Sequence, residues 1–275
     1  MIAAGVVEDL LHARHADPFA VLGLHTDADG TLRHRALLPG ASAVALIDAR
    51  TGKRTAEHVR RHPDGFFEAA VARRKNRFDY RLAITWPHGD AGLYADAYSY
   101  GPLLDDADLA ALRDGRHLRP FEVLGAHPMT LGDVAGVRFA VWAPNARQAS
   151  VVGDFNAWDG RRHPMRLRHT AGVWELFVPH AAPGDGYKFE LRGADGQRLP
   201  AKADPYAHAA ELRPGTASRV APLRAPRPLP AARAAANARD QPVSIYEVHL
   251  GSWRRADDGG FLDWDALAAQ LPAYA

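Results

Sequence analysis

Four carboxylates, Asp154, Glu175, Glu190 and Asp204, lie in the second half of a 275-residue chain and are the first candidates for paired acid–base work. Each falls in a polar turn or on an alternating stretch, where solvated or cap-forming acids are the usual occupants, so no catalytic residue is assigned. His58 and His62 have the i, i+4 spacing of a helical metal pair, but their segment reads as a loop between strands and offers no third ligand. Asp27-Ala28-Asp29-Gly30 begins like a calcium loop and lacks the later ligands. Asp195-Gly196 reads as the same feature at an equivalent hairpin further on, so both are turns. Neither a metal nor a cofactor is expected. The chemistry that remains is recognition. Gly153-Asp154-Phe155-Asn156-Ala157-Trp158 places a large aromatic in a polar, turn-rich segment where burial does not call for it, and an exposed indole is a platform for a sugar ring.

That segment closes the run GVRFAVWAPNARQASVVGDFNAW, from Gly136 to Trp158. Val137, Phe139 and Val141 alternate with Arg138 and Ala140, a turn follows at Trp142–Asn145, and Ala149–Val152 is again extended, which predicts a β-hairpin with one apolar face. The chain also repeats itself. Pro18-Phe19-Ala20-Val21-Leu22-Gly23 returns as Pro120-Phe121-Glu122-Val123-Leu124-Gly125, and Arg33–Pro39 as Arg138–Pro144. Gly65–Glu68 matches Gly172–Glu175, Tyr80–Leu82 matches Tyr187–Phe189, and Asp96-Ala97-Tyr98 matches Asp204-Pro205-Tyr206. The offset grows from 102 at Pro18 to 108 at Asp96, as expected for two copies of one domain whose loops differ in length.

Within each copy, short alternating runs sit between Gly, Pro, Asn and Asp turns, which predicts an immunoglobulin-like β-sandwich of two antiparallel sheets. Leu37, Leu46, Phe67, Val71, Tyr80 and Leu82 should fill the first core, and Phe139, Val141, Val152, Trp174, Phe177 and Phe189 the second. The first copy has Asp48-Ala49-Arg50-Thr51-Gly52 where the second has Asp154–Trp158, so it lacks the platform and reads as a spacer or buttress. Its Trp86 reads as an edge-packing residue. The expected organisation is an N-terminal amphipathic helix within 1–16, a first module at 17–104, a connecting helix at 105–116 and a second module at 117–221. A linker rich in Pro, Ala and Arg follows at 222–242, with Pro222, Pro226, Pro228 and Pro230. Residues 243–275 then begin a strand–loop–helix unit: a strand at Val243–Leu250, and a helix capped by Asp263 and carrying Trp264, Leu267, Ala268 and Leu271.

Composition narrows the function classes. An apolar share of 47% and a charged share of 24% are ordinary for a soluble globular protein. A formal charge of +2, with arginines scattered among acids, argues against a nucleic-acid partner. The absence of cysteine rules out disulfides and fits a reducing compartment. Neither a membrane-spanning run nor a signal-peptide layout is seen, and a cytoplasmic location is expected.

The pattern RFxVWAPNAxxxxVVGDFNxW, with Gly172–Glu175 and Gly186-Tyr187-Lys188-Phe189, resembles the glycogen-binding module of carbohydrate-binding module family 48. That module precedes the catalytic barrel in α-glucan branching enzymes and also occurs in the β subunit of the AMP-activated kinase. Ile245–Arg255 (IYEVHLGSWRR) looks like the first barrel strand and following loop of branching enzymes, members of glycoside hydrolase family 13. The resemblance implies an α-glucan partner and glucan contacts from Trp158 and Lys188. Arg198 stands where the kinase-type module has a second tryptophan, and Ser218 where it has an asparagine. It implies also that most of the barrel, with both catalytic carboxylates, is missing, so that this chain transfers no glucan by itself and has its own catalytic domain as partner. Glu247 and His249 then have a structural place at the start of the barrel. A stand-alone glycogen-binding scaffold, or another α-amylase-superfamily enzyme with the same modules, are the alternatives.

Overall fold

The computed structural model describes residues 2–72, 74, 76–89, 91–223, 225, 228 and 230–274; Pro226 of the expected linker lies outside the described residues. Residues 1–223 form one compact unit and residues 224–275 another.

In the first unit, helix α1 (Ala4–Leu11) buries Leu10 and Leu11. Eight strands follow: β1 (Gly23–Thr26), β2 (Leu32–Leu37), β3 (Ala43–Asp48), β4 (Arg54–Glu57), β5 (Val59–His62), β6 (Phe66–Ala70), β7 (Tyr80–Thr85) and β8 (Ala91–Tyr94). They make two antiparallel sheets, ordered β1-β2-β6-β5 and β4-β3-β7-β8. Helix α2 (Asp106–Arg113) is capped by the Asp105 carboxylate, which accepts from Ala107 N at 2.6 Å. A second set of strands then begins: β9 (Gly125–Leu131), β10 (Val134–Trp142), β11 (Gln148–Gly153), β12 (Arg166–Arg168), β13 (Val173–Pro179), β14 (Gly186–Arg192), β15 (Ala209–Ala210) and β16 (Ser218–Arg219). Their sheets run β12-β13-β10-β9 and β11-β14-β16-β15.

The repeat read in the sequence recurs in the hydrogen bonds. Gly23 and Gly125 both take positive φ, 89° and 104°, and a Cβ on either would stand 2.9 Å from the carbonyl oxygen of Tyr98 or Tyr206. Only glycine meets both demands. His25 Nε2 lies 2.8 Å from Leu22 O, and His127 Nε2 lies 2.9 Å from Leu124 O. Tyr80 donates its hydroxyl to Asp96 at 2.6 Å, and Tyr187 donates to Asp204 at 2.7 Å.

Three expectations are corrected. First, β10 bonds to β9 and β13 while β11 bonds to β14, so the predicted hairpin is an arch that carries the chain from one sheet to the other. The two apolar faces meet across the core rather than side by side. Second, Val152 and Phe177 are buried but lie outside the central cluster of Phe139, Val141, Trp174 and Phe189. Side chains alternate along a strand, so Phe177, three residues from Trp174, must face the other way; it meets the Tyr100 ring edge-on at 4.7 Å between centroids. Leu37 of the first expected core likewise packs with Leu10 and Leu11 of α1. Third, Asp29-Gly30 closes the β1–β2 turn, whereas Asp195-Gly196 follows β14, so the two turns are not equivalent.

Arginines of the second sandwich reach the main chain of the first part. Arg162 donates to Pro39 O at 2.7 Å, and Arg192 to His12 O and Ala13 O at 2.6 and 2.7 Å. Arg162 also covers the half-buried Trp86 ring at 4.9 Å.

In the second unit, alanine's high helix propensity gives α3 (Ala231–Ala236), whose described side chains are exposed. The strand expected at 243–250 is not formed: residues 243–249 carry no regular structure and Leu250–Trp253 make the short helix α4. A strand of a parallel barrel exists by pairing on both edges, and among the described residues none lies beside it. Helix α5 (Trp264–Gln270) begins where expected, with Asp263 accepting from Ala266 N at 2.8 Å.

His34 occupies the interior of the first sandwich where the repeat places Phe139. Its Nε2 lies 3.0 Å from Asp96 Oδ2 and its Nδ1 lies 2.8 Å from His58 Nε2. Burial and then the His34 charge push His58 down to about 3, and His58 Nδ1–H is left to donate to Val44 O at 3.2 Å. Burial pulls Asp96 upward, but the His34 and Tyr80 hydrogen bonds outweigh it and hold the carboxyl below its ordinary value. Both groups bind protons less readily folded than unfolded. Their stabilisation is complete above an unfolded histidine's value of about 6.5 and is lost as pH falls. The unfolding midpoint should drop from pH 6.5 toward pH 3, and His58→Gln should remove much of that slope above pH 4 in thermal melts.

Candidate glucan-binding surface

The Gly153–Trp158 turn is built around Asn156, which is buried and satisfied on both sides of its amide. Its Oδ1 accepts from Gly153 N at 2.9 Å, and its Nδ2 donates to Val151 O at 2.9 Å. His163 Nδ1 accepts from the same Nδ2 at 2.9 Å; burial and the neighbouring Arg162 push this imidazole down to about 4, which keeps it neutral. Ala157 and Trp158 both adopt left-handed backbone, φ 55° and 60°, a conformation costly for residues with a side chain. The strain turns the indole back over the start of β14. Trp158 Nε1–H donates to Asp154 Oδ1 at 3.1 Å, and Asp154 Oδ2 accepts from Gly186 N at 2.7 Å. A Cβ at Gly186 would lie 3.5 Å from Trp158 Cζ2, an ordinary contact distance, which places the ring over the start of β14. The indole remains 41% exposed.

Gly186, Lys188 and Glu190 alternate along β14 and share one face, which brings Lys188 to the same side of the sheet as Trp158. Lys188 Nζ donates to Thr216 Oγ1 at 2.7 Å. Arg198, exposed, pairs with Glu190 on this face, so an ion pair stands where a second aromatic was looked for. Ser218 faces inward opposite Tyr187 and receives a hydrogen bond from Asp204 N at 2.8 Å, so it takes no part in the surface. Sequence reasoning missed Asn156 and Asp154 as the residues that fix the indole; an Asp and an Asn bracketing an aromatic in a turn was the available signal.

The other candidates are structural. Glu175 accepts from Leu103 N and Leu104 N at 3.1 and 2.9 Å and pairs with Arg168 at 2.9 Å. Asp204 is held by Tyr187 and by Tyr206 N; burial nevertheless raises its carboxyl above the ordinary value. His58 points inward to His34, while His62 lies 3.6 Å from Glu8, so the two do not converge. Among the described residues no group of three or more His, Cys, Asp or Glu side chains could hold a metal ion. His249 Nδ1 lies 3.1 Å from Ser252 Oγ, within its own turn.

Asp154→Ala removes the acceptor of both Trp158 Nε1 and Gly186 N. It should cost about 1–3 kcal/mol in denaturant unfolding and raise the indole's accessibility to acrylamide quenching.

Two family models match the chain. Residues 3–98 match the N-terminal domain of alpha-1,4-glucan branching enzyme GlgB, and residues 123–207 match carbohydrate-binding module 48, the isoamylase N-terminal domain. Among solved structures, the chain is similar to pullulanase type I from Bacillus subtilis str. 168 complexed with maltose, at 19% identity over 72% of this chain and 26% of that one, TM-score 0.32. It is similar also to pullulanase from Anoxybacillus sp. LM18-11 (17% identity, 75% and 29% covered, TM-score 0.31). A third likeness is to ligand-free PulA from Klebsiella pneumoniae (19% identity, 72% and 21% covered, TM-score 0.31). The chain therefore spans less than a third of the length of each of these proteins. Among the described residues no helix is long and apolar enough to cross a membrane. With one match over the first sandwich and the other over most of the second, the chain carries a domain of the branching-enzyme N-terminal type followed by a carbohydrate-binding module 48.

Proposed function

We propose that this chain is the glucan-holding, non-catalytic part of a cytoplasmic 1,4-α-glucan branching enzyme of glycogen synthesis. Such an enzyme cleaves an α-1,4 glucan and transfers the freed segment to a 6-hydroxyl, forming an α-1,6 branch. The observation that carries the reading is the Trp158 indole, held in left-handed backbone and tied to Asp154, on the same sheet face as Lys188. A pyranose lays its C–H face on the indole, while Lys188 Nζ–H and the Thr216 hydroxyl bond its ring hydroxyls. Among the described residues the buried carboxylates Asp48, Glu68, Asp96, Glu175, Glu190 and Asp204 are each committed to an arginine or a tyrosine, which leaves none of these six placed as nucleophile or acid. Residues 243–275, with Glu247 and His249, we read as the start of the family 13 barrel whose later strands bring both catalytic carboxylates.

The 275-residue chain should therefore bind glycogen and transfer no glucan. Trp158→Ala should weaken its retention on immobilised glycogen roughly tenfold, the value of about 1.4 kcal/mol, while shifting the thermal midpoint little. Trp158→Phe should fall between. Equal retention of Trp158→Ala and the parent removes the platform, and branching by the chain alone overturns the non-catalytic assignment.

A further inference from the structure

The first sandwich lacks the aromatic turn of the second, yet it forms one wall of a sizeable cleft. On β7, Tyr80, Leu82 and Ile84 point into the core, so Arg81 and Ala83 face outward, paired with Ile47 of β3 and Leu93 of β8. This outward face looks across at the β9–β10 turn of the second sandwich. Between them lies a cleft of about 880 Å³, floored by the connecting segment at Tyr98–Tyr100. That volume lies within the about 300–1,000 Å³ of small-ligand sites, which favour the junctions of domains.

The lining indicates the kind of ligand. Three arginines, Arg50, Arg77 and Arg81, are balanced by three aspartates, Asp48, Asp79 and Asp133. A site for a phosphate or carboxylate would carry a surplus of positive charge; an even mixture of planar donors and acceptors suits a neutral polyhydroxyl compound. Apolar surface lies among them: Leu93 is 58% exposed, and Tyr100, one edge of which packs on Phe177, borders the same space. Arg81 crosses the cleft to both oxygens of Asp133 at 2.8 and 3.0 Å. The Asp133 side chain is largely exposed, so this ion pair is weak enough for ligand hydroxyls to share it.

We propose that this cleft is a second α-glucan site, holding a short maltooligosaccharide segment against Leu93 and Tyr100 with its hydroxyls on Arg81, Asp79 and Asp133. The first sandwich thereby contributes to glucan binding as a wall rather than as a platform. The inference rests on the glucan-binding reading of the chain and is separable from the Trp158 surface.

The test is calorimetric titration of the 275-residue chain with maltoheptaose, in the parent and in a Trp158→Ala background. The expected result is residual binding in Trp158→Ala that Leu93→Glu and Asp133→Ala each weaken at least fivefold, with unchanged thermal midpoints. In parallel, maltoheptaose should slow amide hydrogen exchange at 77–81 and 131–134 in Trp158→Ala. Residual binding untouched by both cleft variants, with no protection at those segments, overturns the cleft. Binding by the parent that Trp158→Ala abolishes overturns the cleft and leaves the platform standing. No binding by the parent overturns both.

Discussion

At the end of each sandwich a tyrosine hydroxyl donates to an aspartate that has been taken out of water: Tyr80 to Asp96 in the first, Tyr187 to Asp204 in the second. A buried carboxylate left unmet costs several kcal/mol, so the chain around it is not free to move. In both copies the other carboxylate oxygen accepts from the amide two residues on, at Tyr98 or Tyr206. That bond sets the carbonyl of the same tyrosine against Gly23 or Gly125 and so locks the first strand to the last segment. What lies beyond differs. The Tyr98 hydroxyl donates to Pro164 O in the second sandwich, at 3.2 Å, whereas Tyr206 packs with Leu104 and Leu109 at α2. The same device thus docks the first sandwich onto the second, and the second onto the connecting helix.

The two copies solve the same burial with different partners, and the consequences show in the direction of each shift. Asp96 has His34 and falls below its ordinary value; Asp204 has Phe139 at the repeat position and rises above it. With Asp96 and His58 both held below their ordinary values, the first sandwich is the acid-sensitive one. The second keeps an all-apolar centre around Trp174, Phe139 and Phe189, and carries its polar features on the outer face of β11 and β14.

Alternation and the repeat made the strands legible from the residues, along with the glycines that the two copies share. What the residues could not reveal was which edge each strand offers to which neighbour. Apolar alternation on β10 and β11 fits a hairpin and an arch equally well, because it records which face is buried and not which strand is bonded. Counting along β13 would have separated Trp174 from Phe177, since residues three apart on a strand oppose one another. The apolar run at 243–250 has strand composition, but a strand is completed by its partners. The left-handed pair Ala157–Trp158 carried no compositional sign, as neither residue is one that ordinarily marks that conformation. The cleft at Arg81 and Asp133 was invisible for another reason: its residues lie far apart in the chain and meet only when the two sandwiches dock.

Two arginines of the second sandwich that reach the first part of the chain choose unusual acceptors. Arg162 and Arg192 bond carbonyl oxygens of Pro39, His12 and Ala13 rather than side chains. Every residue carries such an oxygen, so substitutions at those three positions leave the acceptors in place so long as the backbone path is kept. The junction is therefore mutationally lopsided. Sequence drift at Pro39, His12 and Ala13 is tolerated, while the donors Arg162 and Arg192, like Tyr98 and Arg81 reaching across from the first module, have no such latitude. A module that no longer carries its own platform can diverge widely under this arrangement and still be held in register.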